Sequence, residues 1–166
     1  MANTYSLIQS VTVGVGGASS INFTSIPQTY KDLMLVTSSR STSTGLAVIA
    51  KFNGSSSNYT GRYLEGSGTS VSGGAMTINQ AGNSNSTAYT ASVFASNFFY
   101  IPNYTGSTIK SGSSDATTEN NASTNYTAFY ANLWSDTAAI TSIALTTSNG
   151  DFAEYSSASL YGIKNS

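Results

Sequence analysis

Histidine and cysteine are both absent from the 166 residues of this chain. Without histidine, the Ser-His-Asp and Cys-His catalytic arrangements are excluded, and so are the usual zinc sites. Without cysteine, no disulfide can hold the fold, and the redox compartment cannot be inferred. The opening MANTYSLIQS has neither a charged n-region nor an apolar h-region, so we expect no secretory signal.

Charge is also scarce, because 8% of the residues are charged and the net charge is −1, whereas about 25% is usual. There is no basic patch, so we expect no nucleic-acid partner. No apolar run approaches the roughly 18 residues of a membrane helix, so we expect no membrane partner. Ser, Thr, Asn and Gly supply the polarity instead, and a neutral surface has little charge repulsion to prevent association. The composition therefore favours a protein that packs against copies of itself or against other subunits.

What the sequence does contain is a series of short apolar runs separated by Gly, Asn and Ser turns. These runs recur at intervals of roughly 8–12 residues, which is typical of a sandwich or barrel. No segment keeps a 3.6-residue period, and the glycines and β-branched residues disfavour helix. The length is sufficient for one domain with a hydrophobic core. The sequence therefore predicts a single all-β domain over residues 1–166, an antiparallel β-sandwich that is jelly-roll-like.

Two turns are expected to organise this sandwich. The apolar runs at 33–36 and 46–50 lie on either side of a polar turn and predict the central hairpin. The dipeptide Asn149-Gly150 predicts a second tight hairpin turn before the last strand, at 157–163.

Two segments are expected to lie outside the sandwich. Residues 1–8 predict an N-terminal arm, because Ala2–Leu7 can add as a strand to the open sheet edge of a neighbour. Residues 105–124 are the most polar stretch of the chain and predict an exposed excursion, with a short strand near Ile109 at most.

The aromatic segment 98–101 is expected to divide its side chains between two faces. Alternation along a strand sends Phe99 and Ile101 one way and Phe98 and Tyr100 the other. One pair is therefore expected in the core, and the other against a second layer or a partner. Residues 125–134 carry apolar bulk on both faces, which predicts a central strand.

The eleven tyrosines are candidate contact residues, because the ring offers area and a hydroxyl at low entropy cost. Tyr59 and Tyr104, each in an Asn-Tyr-Thr stretch expected to be a loop, are the favoured contacts. For the tyrosines expected on strands, a core position and a contact position are equally favoured. These residues are Tyr63, Tyr100, Tyr126, Tyr130, Tyr155 and Tyr161. Together with the arm and the aromatic segment, this predicts an interface of Tyr5, Leu7, Tyr59, Phe98, Tyr100 and Tyr104.

Two carboxylate pairs are candidates for acid–base catalysis, Asp115 with Glu119 and Asp151 with Glu154. Such catalysis needs two carboxyl groups at a set separation in a cleft. The first pair falls in the polar excursion, and Asp151 flanks a tight turn, where Asp is common. We therefore interpret both pairs as solvated, and we expect neither an enzyme nor a cofactor.

Metal and phosphate sites have weaker signals. Asp115, Glu119, Asn120 and Asn121 offer oxygen atoms to calcium, but their spacing does not match the twelve-residue calcium loop with its closing glutamate. The glycines of residues 14–17 lack the following helix and the lysine of a phosphate-binding loop. No metal or phosphate site is predicted.

Arg40 and Arg62 are rare charges on a neutral background. Either is expected to pair with Asp32 or Glu65, or with a carboxylate of another subunit. An ordinary exposed ion pair contributes only about 0–1 kcal/mol.

Five stretches of the chain resemble small virion proteins of tailed bacteriophages, particularly the phages of cyanobacteria and marine bacteria. They are SSINFTSIPQTYKDLMLVTSSRS (19–41), FNGSSSNYT (52–60), NYT (103–105), AITSIAL (139–145) and SSASLYGI (156–163). The SIPQTYKDLMLV block and the final SLYGI are the most specific, and the resemblance spans nearly the whole chain. It implies a β-sandwich or jelly-roll module on the particle exterior, and it brings no catalytic residues.

The resemblance implies two alternative functions. The first is a capsid decoration (cement) protein that is made in the host cytoplasm, forms trimers and binds the major capsid protein on the outside of the virion. The second is a tail-fibre or receptor-binding module in which Tyr59, Tyr104 and Trp134 contact glycans of the host surface. A glycan-degrading enzyme is the least favoured, because neither carboxylate pair is expected in a cleft.

Overall fold

The computed structural model of this chain describes residues 4–119 and 125–164. They form two antiparallel sheets packed together, which confirms the predicted antiparallel β-sandwich. The strands are β1 (Tyr5–Thr12), β2 (Ile21–Phe23), β3 (Asp32–Ser39), β4 (Ala47–Phe52), β5 (Tyr59–Ser67), β6 (Ser70–Met76), β7 (Gln80–Asn83), β8 (Ala95–Ile101), β9 (Lys110–Thr117), β10 (Tyr126–Trp134), β11 (Ile143–Thr147) and β12 (Ser157–Ile163). Among the described residues there is no helix with the length and hydrophobicity of a membrane span.

The larger sheet has eight strands in the order β1-β12-β3-β8-β9-β10-β5-β6, and the smaller has four in the order β2-β11-β4-β7. Four pairs are nested along the sequence: β1 with β12, β2 with β11, β3 with β8, and β4 with β7. The chain thus folds as a long two-stranded ribbon that is rolled across both sheets. Two further antiparallel pairs, β5 with β6 and β9 with β10, widen the larger sheet beyond β8.

The core lies between the smaller sheet and the inner face of the larger sheet, which is the face turned toward the smaller sheet. Leu35 and Phe99 from the larger sheet meet Phe52 and Leu145 from the smaller, and all four are buried. Phe52 stacks on Phe99 with ring centroids 6.2 Å apart and meets Trp134 edge-on at 5.6 Å. Burying side chains of this size stabilises the fold by about 1.5–3 kcal/mol each.

Two predictions of alternation are confirmed. Phe99 and Ile101 are buried, whereas Phe98 is 48% exposed on the opposite face. The segment 125–134 is a central strand, because β10 pairs with β5 on one side and with β9 on the other. The last strand, predicted at 157–163, is present as β12.

The predicted central hairpin is wrong, because its two arms belong to different sheets. β3 is hydrogen-bonded to β12 and β8, whereas β4 is hydrogen-bonded to β11 and β7. The polar segment between them crosses from one sheet to the other and is bonded elsewhere: Ser41 N donates to Asn85 O at 2.7 Å, and Thr42 N donates to Asp151 O at 2.8 Å. Both arms are apolar because both enter the core, and not because they pair with each other.

The prediction of a hairpin at Asn149-Gly150 is also wrong, although the chain does turn there. Gly150 has a φ of 75°, as a tight turn favours. The turn leaves β11 in the smaller sheet, and the chain continues to β12 in the larger sheet. The turn is held by the loop after β3, because Ser41 Oγ donates to Asn149 O at 2.7 Å and Asp151 N donates to Thr42 Oγ1 at 2.9 Å.

The prediction of an exposed excursion at 105–124 is wrong over Lys110–Thr117, which form β9, whereas residues 107–109 before it are exposed. β9 is an interior strand of the larger sheet, between β8 and β10. Its small side chains leave room for the rings of its neighbours: a Cβ on Gly112 would lie 2.7 Å from Cε2 of Phe99. The Ser, Thr and Gly residues of this segment are therefore present because their side chains are small, and they do not indicate disorder. Residues 120–124 lie outside the described residues.

The predicted N-terminal arm is wrong over residues 5–8, since these residues belong to β1 and pair with β12 of the same chain. Val13 N, just after β1, continues the contact by donating to Ser156 O at 2.8 Å. Residues 1–3 lie outside the described residues. β1 is nevertheless an edge strand of the larger sheet, with a bulge between Leu7 and Gln9.

A buried polar network joins β7 to the larger sheet. Asn83 N donates to Asn97 Oδ1 at 2.7 Å, and Asn97 Nδ2 donates to Asn83 O at 2.9 Å and to Thr37 Oγ1 at 2.8 Å. At the other end of β7, Gln80 N donates to Asn132 Oδ1 at 2.9 Å, and Asn132 Nδ2 donates to Gln80 O at 3.0 Å. Asn side chains thus bond to the backbone of a strand that lies at the edge of its own sheet.

Candidate functional site

The outer face of the larger sheet, turned away from the smaller sheet, carries exposed apolar side chains. Register aligns Val36 of β3, Phe98 of β8, Phe129 of β10 and Leu64 of β5 in one row, with Asp115 of β9 between the two phenylalanines. Phe98, Phe129 and Leu64 are 48%, 59% and 54% exposed. Large apolar side chains at this exposure are unusual when they are contiguous, and such patches mark interaction sites.

A second row lies one step along the strands. It runs through Leu7, Tyr161, Met34 and Tyr100 on β1, β12, β3 and β8, and Tyr5 lies beside it. Tyr5 and Leu7 are 55% and 56% exposed. These two rows without Asp115, together with Tyr5, are called here the outer apolar stripe. The stripe reaches from β1 to β5, a distance of roughly 29 Å at about 4.8 Å per strand.

Two adjacent grooves run between the side chains of the stripe. One, of about 360 Å³, is lined by Tyr5, Met34, Val36, Phe98 and Tyr161. The next, of about 270 Å³, extends from Phe98 to Phe129. Phe98 lines both grooves. Concave apolar surfaces of this kind accept aromatic or aliphatic anchor residues of a protein partner.

Charge on this face of the described strands is limited to Asp32, Asp115 and Arg62. Asp32 is buried at the end of the stripe, where it accepts from Tyr100 Oη at 2.9 Å and from Asn103 N at 2.8 Å. Burial and the hydrogen bond to Asp32 raise the pKa of Tyr100. The phenol therefore stays protonated as a donor to the carboxylate, and a partner would meet an almost uncharged surface.

Four of the predicted interface residues come together on the stripe: Tyr5, Leu7, Phe98 and Tyr100. The prediction missed five further members, namely Met34, Val36, Leu64, Phe129 and Tyr161. Phe129 has a usable signal, because it lies on a strand whose two faces carry apolar bulk. Met34 and Val36 had none, since their run is apolar throughout and does not show which face is inside.

The other two predicted contacts, Tyr59 and Tyr104, are wrong because both are core residues. Tyr59 is the first residue of β5, its hydroxyl accepts from Phe52 N at 2.8 Å, and its ring lies 6.3 Å from that of Trp134. Tyr104 is 0% exposed and its hydroxyl donates to Pro27 O. Trp134, the predicted glycan contact, is also buried. Burial raises the pKa of Tyr59 and Tyr104.

The strand tyrosines divide between core and surface. Tyr130 is buried, and desolvation raises the pKa of its hydroxyl. Tyr155 is largely exposed. Tyr63, Tyr100, Tyr126 and Tyr161 are half-buried.

The two carboxylate pairs are placed on different surfaces. Asp115 is exposed on the outer face and lines the groove between Phe98 and Phe129, whereas Glu119 lies beyond the end of β9. Asp151 is exposed in the turn after Gly150. Glu154 is half-buried, and a hydrogen bond from the Tyr155 hydroxyl to its carboxylate raises the pKa of Tyr155.

Of the four candidate calcium ligands, Asn120 and Asn121 lie outside the described residues. Within the described ranges, no group of three or more acidic side chains is placed to hold a metal ion. Residues 14–17 form a turn, with Gly17 N donating to Gly14 O at 3.2 Å and positive φ at Gly16 and Gly17.

Arg40 does not pair with Asp32 or Glu65. Its guanidinium instead donates to the carbonyls of Thr90 at 2.9 Å and Val93 at 3.0 Å, which fixes the loop before β8. Arg62 is exposed and donates to Gly61 O at 3.3 Å. An ion pair from Arg62 to another subunit remains a prediction.

Comparison of the chain with protein-family models, with curated proteins and with solved structures finds no match.

Proposed function

We propose that this chain is a structural protein of a bacteriophage particle, a capsid decoration protein that binds the major capsid protein on the outside of the shell. The observation that carries the proposal is the outer apolar stripe, a broad and almost uncharged sheet face with exposed aromatic side chains. The resemblance of the SIPQTYKDLMLV and SLYGI segments to small virion proteins supplies the identity of the partner.

The edges of the larger sheet also support an assembled state. β1 and β6 form these edges, and neither contains a charged residue or a proline. Proteins that stay monomeric usually protect such edges with lysine, proline or a covering segment. The bulge in β1 protects that edge only in part. Strand addition between copies at these edges is compatible with the trimer that the resemblance implies.

We further propose that the sandwich is a jelly roll with two inserted strand pairs. Without β5, β6, β9 and β10, the remaining strands have the orders β1-β12-β3-β8 and β2-β11-β4-β7. This arrangement is a rolled ribbon of two four-stranded sheets, in agreement with the eight strands and two Greek keys of a jelly roll.

The tail-fibre alternative is less favoured, because the side chains expected to contact glycans are not accessible. Tyr59, Tyr104 and Trp134 are all buried in the core. Glycan contact by these side chains would require the sandwich to open.

The proposal is tested on particles purified from infected cells. The decoration role predicts that mass spectrometry finds many copies of the chain per particle, whereas a tail location predicts a handful. Added chain should also rebind to particles that lack it. The double variant Phe98→Ser/Phe129→Ser should bind at least tenfold more weakly, because aromatic anchors at an interface contribute about 2 kcal/mol or more.

The matched control is Val15→Ser, which removes an apolar side chain that is 90% exposed in the loop between β1 and β2. This control should bind like the wild type. A handful of copies per particle, or full binding by the double variant, contradicts the proposal.

A further inference from the structure

The larger sheet extends past the smaller one and leaves a polar cleft on its inner side. β7 is the edge strand of the smaller sheet, and the cleft lies beside it, lined in part by residues of β5, β7 and β10. The cleft has a volume of about 250 Å³, and its lining includes Glu65, Gln80, Asn83, Tyr126 and Tyr130. It lies on the side of the larger sheet opposite the outer apolar stripe.

The floor of the cleft presents an oriented hydrogen-bond donor. Asn83 is buried, and its Oδ1 accepts from Tyr130 Oη at 2.7 Å and from Gln80 Nε2 at 3.0 Å. These two donors fix the amide so that Nδ2 remains available. This Nδ2 donates to none of the described residues, and it is not among their buried unpaired atoms, so it reaches the solvent of the cleft.

The lining of the same cleft also presents acceptors. Glu65 is half-buried and accepts from Ser72 Oγ at 3.1 Å, which leaves further lone pairs on a carboxylate that has about four acceptor positions. The Gln80 amide is oriented by its bond to Asn83, so that its Oε1 is a second acceptor. The side chains of Tyr126 and Leu46 add apolar surface beside these groups.

A neutral polyhydroxyl ligand matches this set of groups. Each sugar hydroxyl both donates and accepts, so adjacent hydroxyls can donate to Glu65 and accept from Asn83. An anion is disfavoured, because Glu65 repels it and the lining contains neither Lys nor Arg. An apolar ligand would leave the oriented Asn83 amide without a partner. We propose that this cleft binds one neutral sugar unit of a glycan.

This proposal is independent of the proposed capsid role, because the cleft and the stripe lie on opposite faces of the larger sheet. A particle protein could bind the shell through the stripe and present the cleft to the surroundings. A mutation that abolishes sugar binding in the cleft should leave binding to the shell unchanged, and the reverse should also hold.

The test is a two-dimensional ¹H–¹⁵N NMR titration of the full chain. The probes are glucose, galactose, mannose, N-acetylglucosamine and rhamnose, with glucuronate as the anionic comparison, each up to about 50 mM. A ligand of about a dozen heavy atoms is expected to bind with a roughly millimolar Kd. At least one neutral sugar should shift the amide signals of Ala47, Gln80 and Tyr126, and leave those of Phe98 and Phe129 unchanged.

Glu65→Gln should weaken this binding about tenfold, because it replaces a charge-assisted acceptor by a neutral one. The matched control Asp115→Asn also removes one carboxylate, but on the outer face, and should leave the binding unchanged. Both variants should retain the dispersed spectrum of the folded chain.

Three results would overturn the proposal: no shift in the cleft with any neutral sugar, equal binding by Glu65→Gln, or tighter binding of glucuronate than of glucose.

Discussion

Asn97 of the larger sheet and Asn83 of the smaller sheet are joined by two hydrogen bonds, from Asn83 N to Asn97 Oδ1 at 2.7 Å and from Asn97 Nδ2 to Asn83 O at 2.9 Å. The Asn97 side chain thus bonds to the Asn83 backbone as a neighbouring strand would. Both residues are buried. A buried backbone group without a hydrogen-bond partner lowers the free energy of unfolding. Loss of this contact should therefore destabilise the sandwich.

Asn97→Ala should therefore destabilise the fold by about 1–3 kcal/mol, because it leaves the buried N–H of Asn83 without its bond to Asn97. The C=O of Asn83 keeps a second donor, Ser39 Oγ at 2.9 Å. Urea unfolding followed by tryptophan fluorescence measures this change, since Trp134 is in the core. Asn22→Ala is the control: it removes one exposed hydrogen bond to Ser20, and its effect should be below about 0.5 kcal/mol. Equal stability of the two variants would contradict the role of Asn97.

Gly112→Ala should destabilise the fold by about 1–3 kcal/mol, because the new Cβ would lie 2.7 Å from Cε2 of Phe99 and 3.0 Å from Tyr100 O. The same substitution at Gly66 is the matched control, since the nearest atom to its added Cβ is Thr127 O at 4.0 Å. Thermal unfolding of both variants measures the difference. If Gly112→Ala is as stable as Gly66→Ala, then packing against the rings of the neighbouring strands does not require small residues in β9.

Stability should fall as the pH rises above about 10, because burial raises the pKa of Tyr59, Tyr104 and Tyr130. In the unfolded chain these phenols ionise near pH 10, whereas the folded state holds their protons more firmly. Their contribution is thus fully present below pH 10 and is lost as the pH rises toward the folded pKa values. Urea unfolding at several pH values measures the slope.

Tyrosinate absorbance at 295 nm checks the same point in the native state. Some tyrosines should remain protonated until the chain unfolds, and Tyr130→Phe should reduce the slope of stability above pH 10. Ionisation of every tyrosine near pH 10 in the folded protein would contradict this prediction.

Lys110→Met should destabilise the fold, because the buried amine donates to Gly106 O and Thr108 O at 2.5 Å each. The residue is 2% exposed, and desolvation lowers the pKa of its amine. Loss of these charge-assisted bonds should cost about 2–3 kcal/mol near pH 7. Lys31→Met is the control, since its amine makes one exposed hydrogen bond, to Asn103.

The pH dependence gives a second readout for Lys110. Since the folded pKa is lowered, the unfolded chain binds more protons between that pKa and about 10.5, so this group makes stability rise with pH in that window. The rise should be absent from Lys110→Met. A pH profile identical to that of the wild type would contradict the burial of this amine.

The strands themselves were predictable because alternation and turn residues are local signals. Phe98 and Phe99 illustrate this, since neighbours along a strand must face opposite sides. Pairing was not predictable: the runs at 33–36 and 46–50 are close in sequence, but each bonds to strands far away in the chain. The sequence of a short apolar run does not indicate which strand it will pair with. A rolled ribbon and a series of hairpins therefore have the same local pattern of apolar residues.

The candidate site was predictable only in part, for a related reason. Tyr104 is surrounded in sequence by polar loop residues and yet is fully buried, because tertiary packing decides its burial. The Ser, Thr and Gly residues of β9 favour an excursion because they are common in loops, whereas in the structure their small size accommodates Phe99 and the other rings. The exposure of Phe129 follows from alternation once the buried face of β10 is known.

Binding of the outer apolar stripe to the shell of a phage particle is a proposal that a density map of intact particles at side-chain resolution can decide. If the proposal is right, the map will show many copies of this sandwich on the capsid exterior, with Phe98 and Phe129 covered by the major capsid protein. A map in which the chain is absent from the shell, or in which these two rings face solvent, would contradict it.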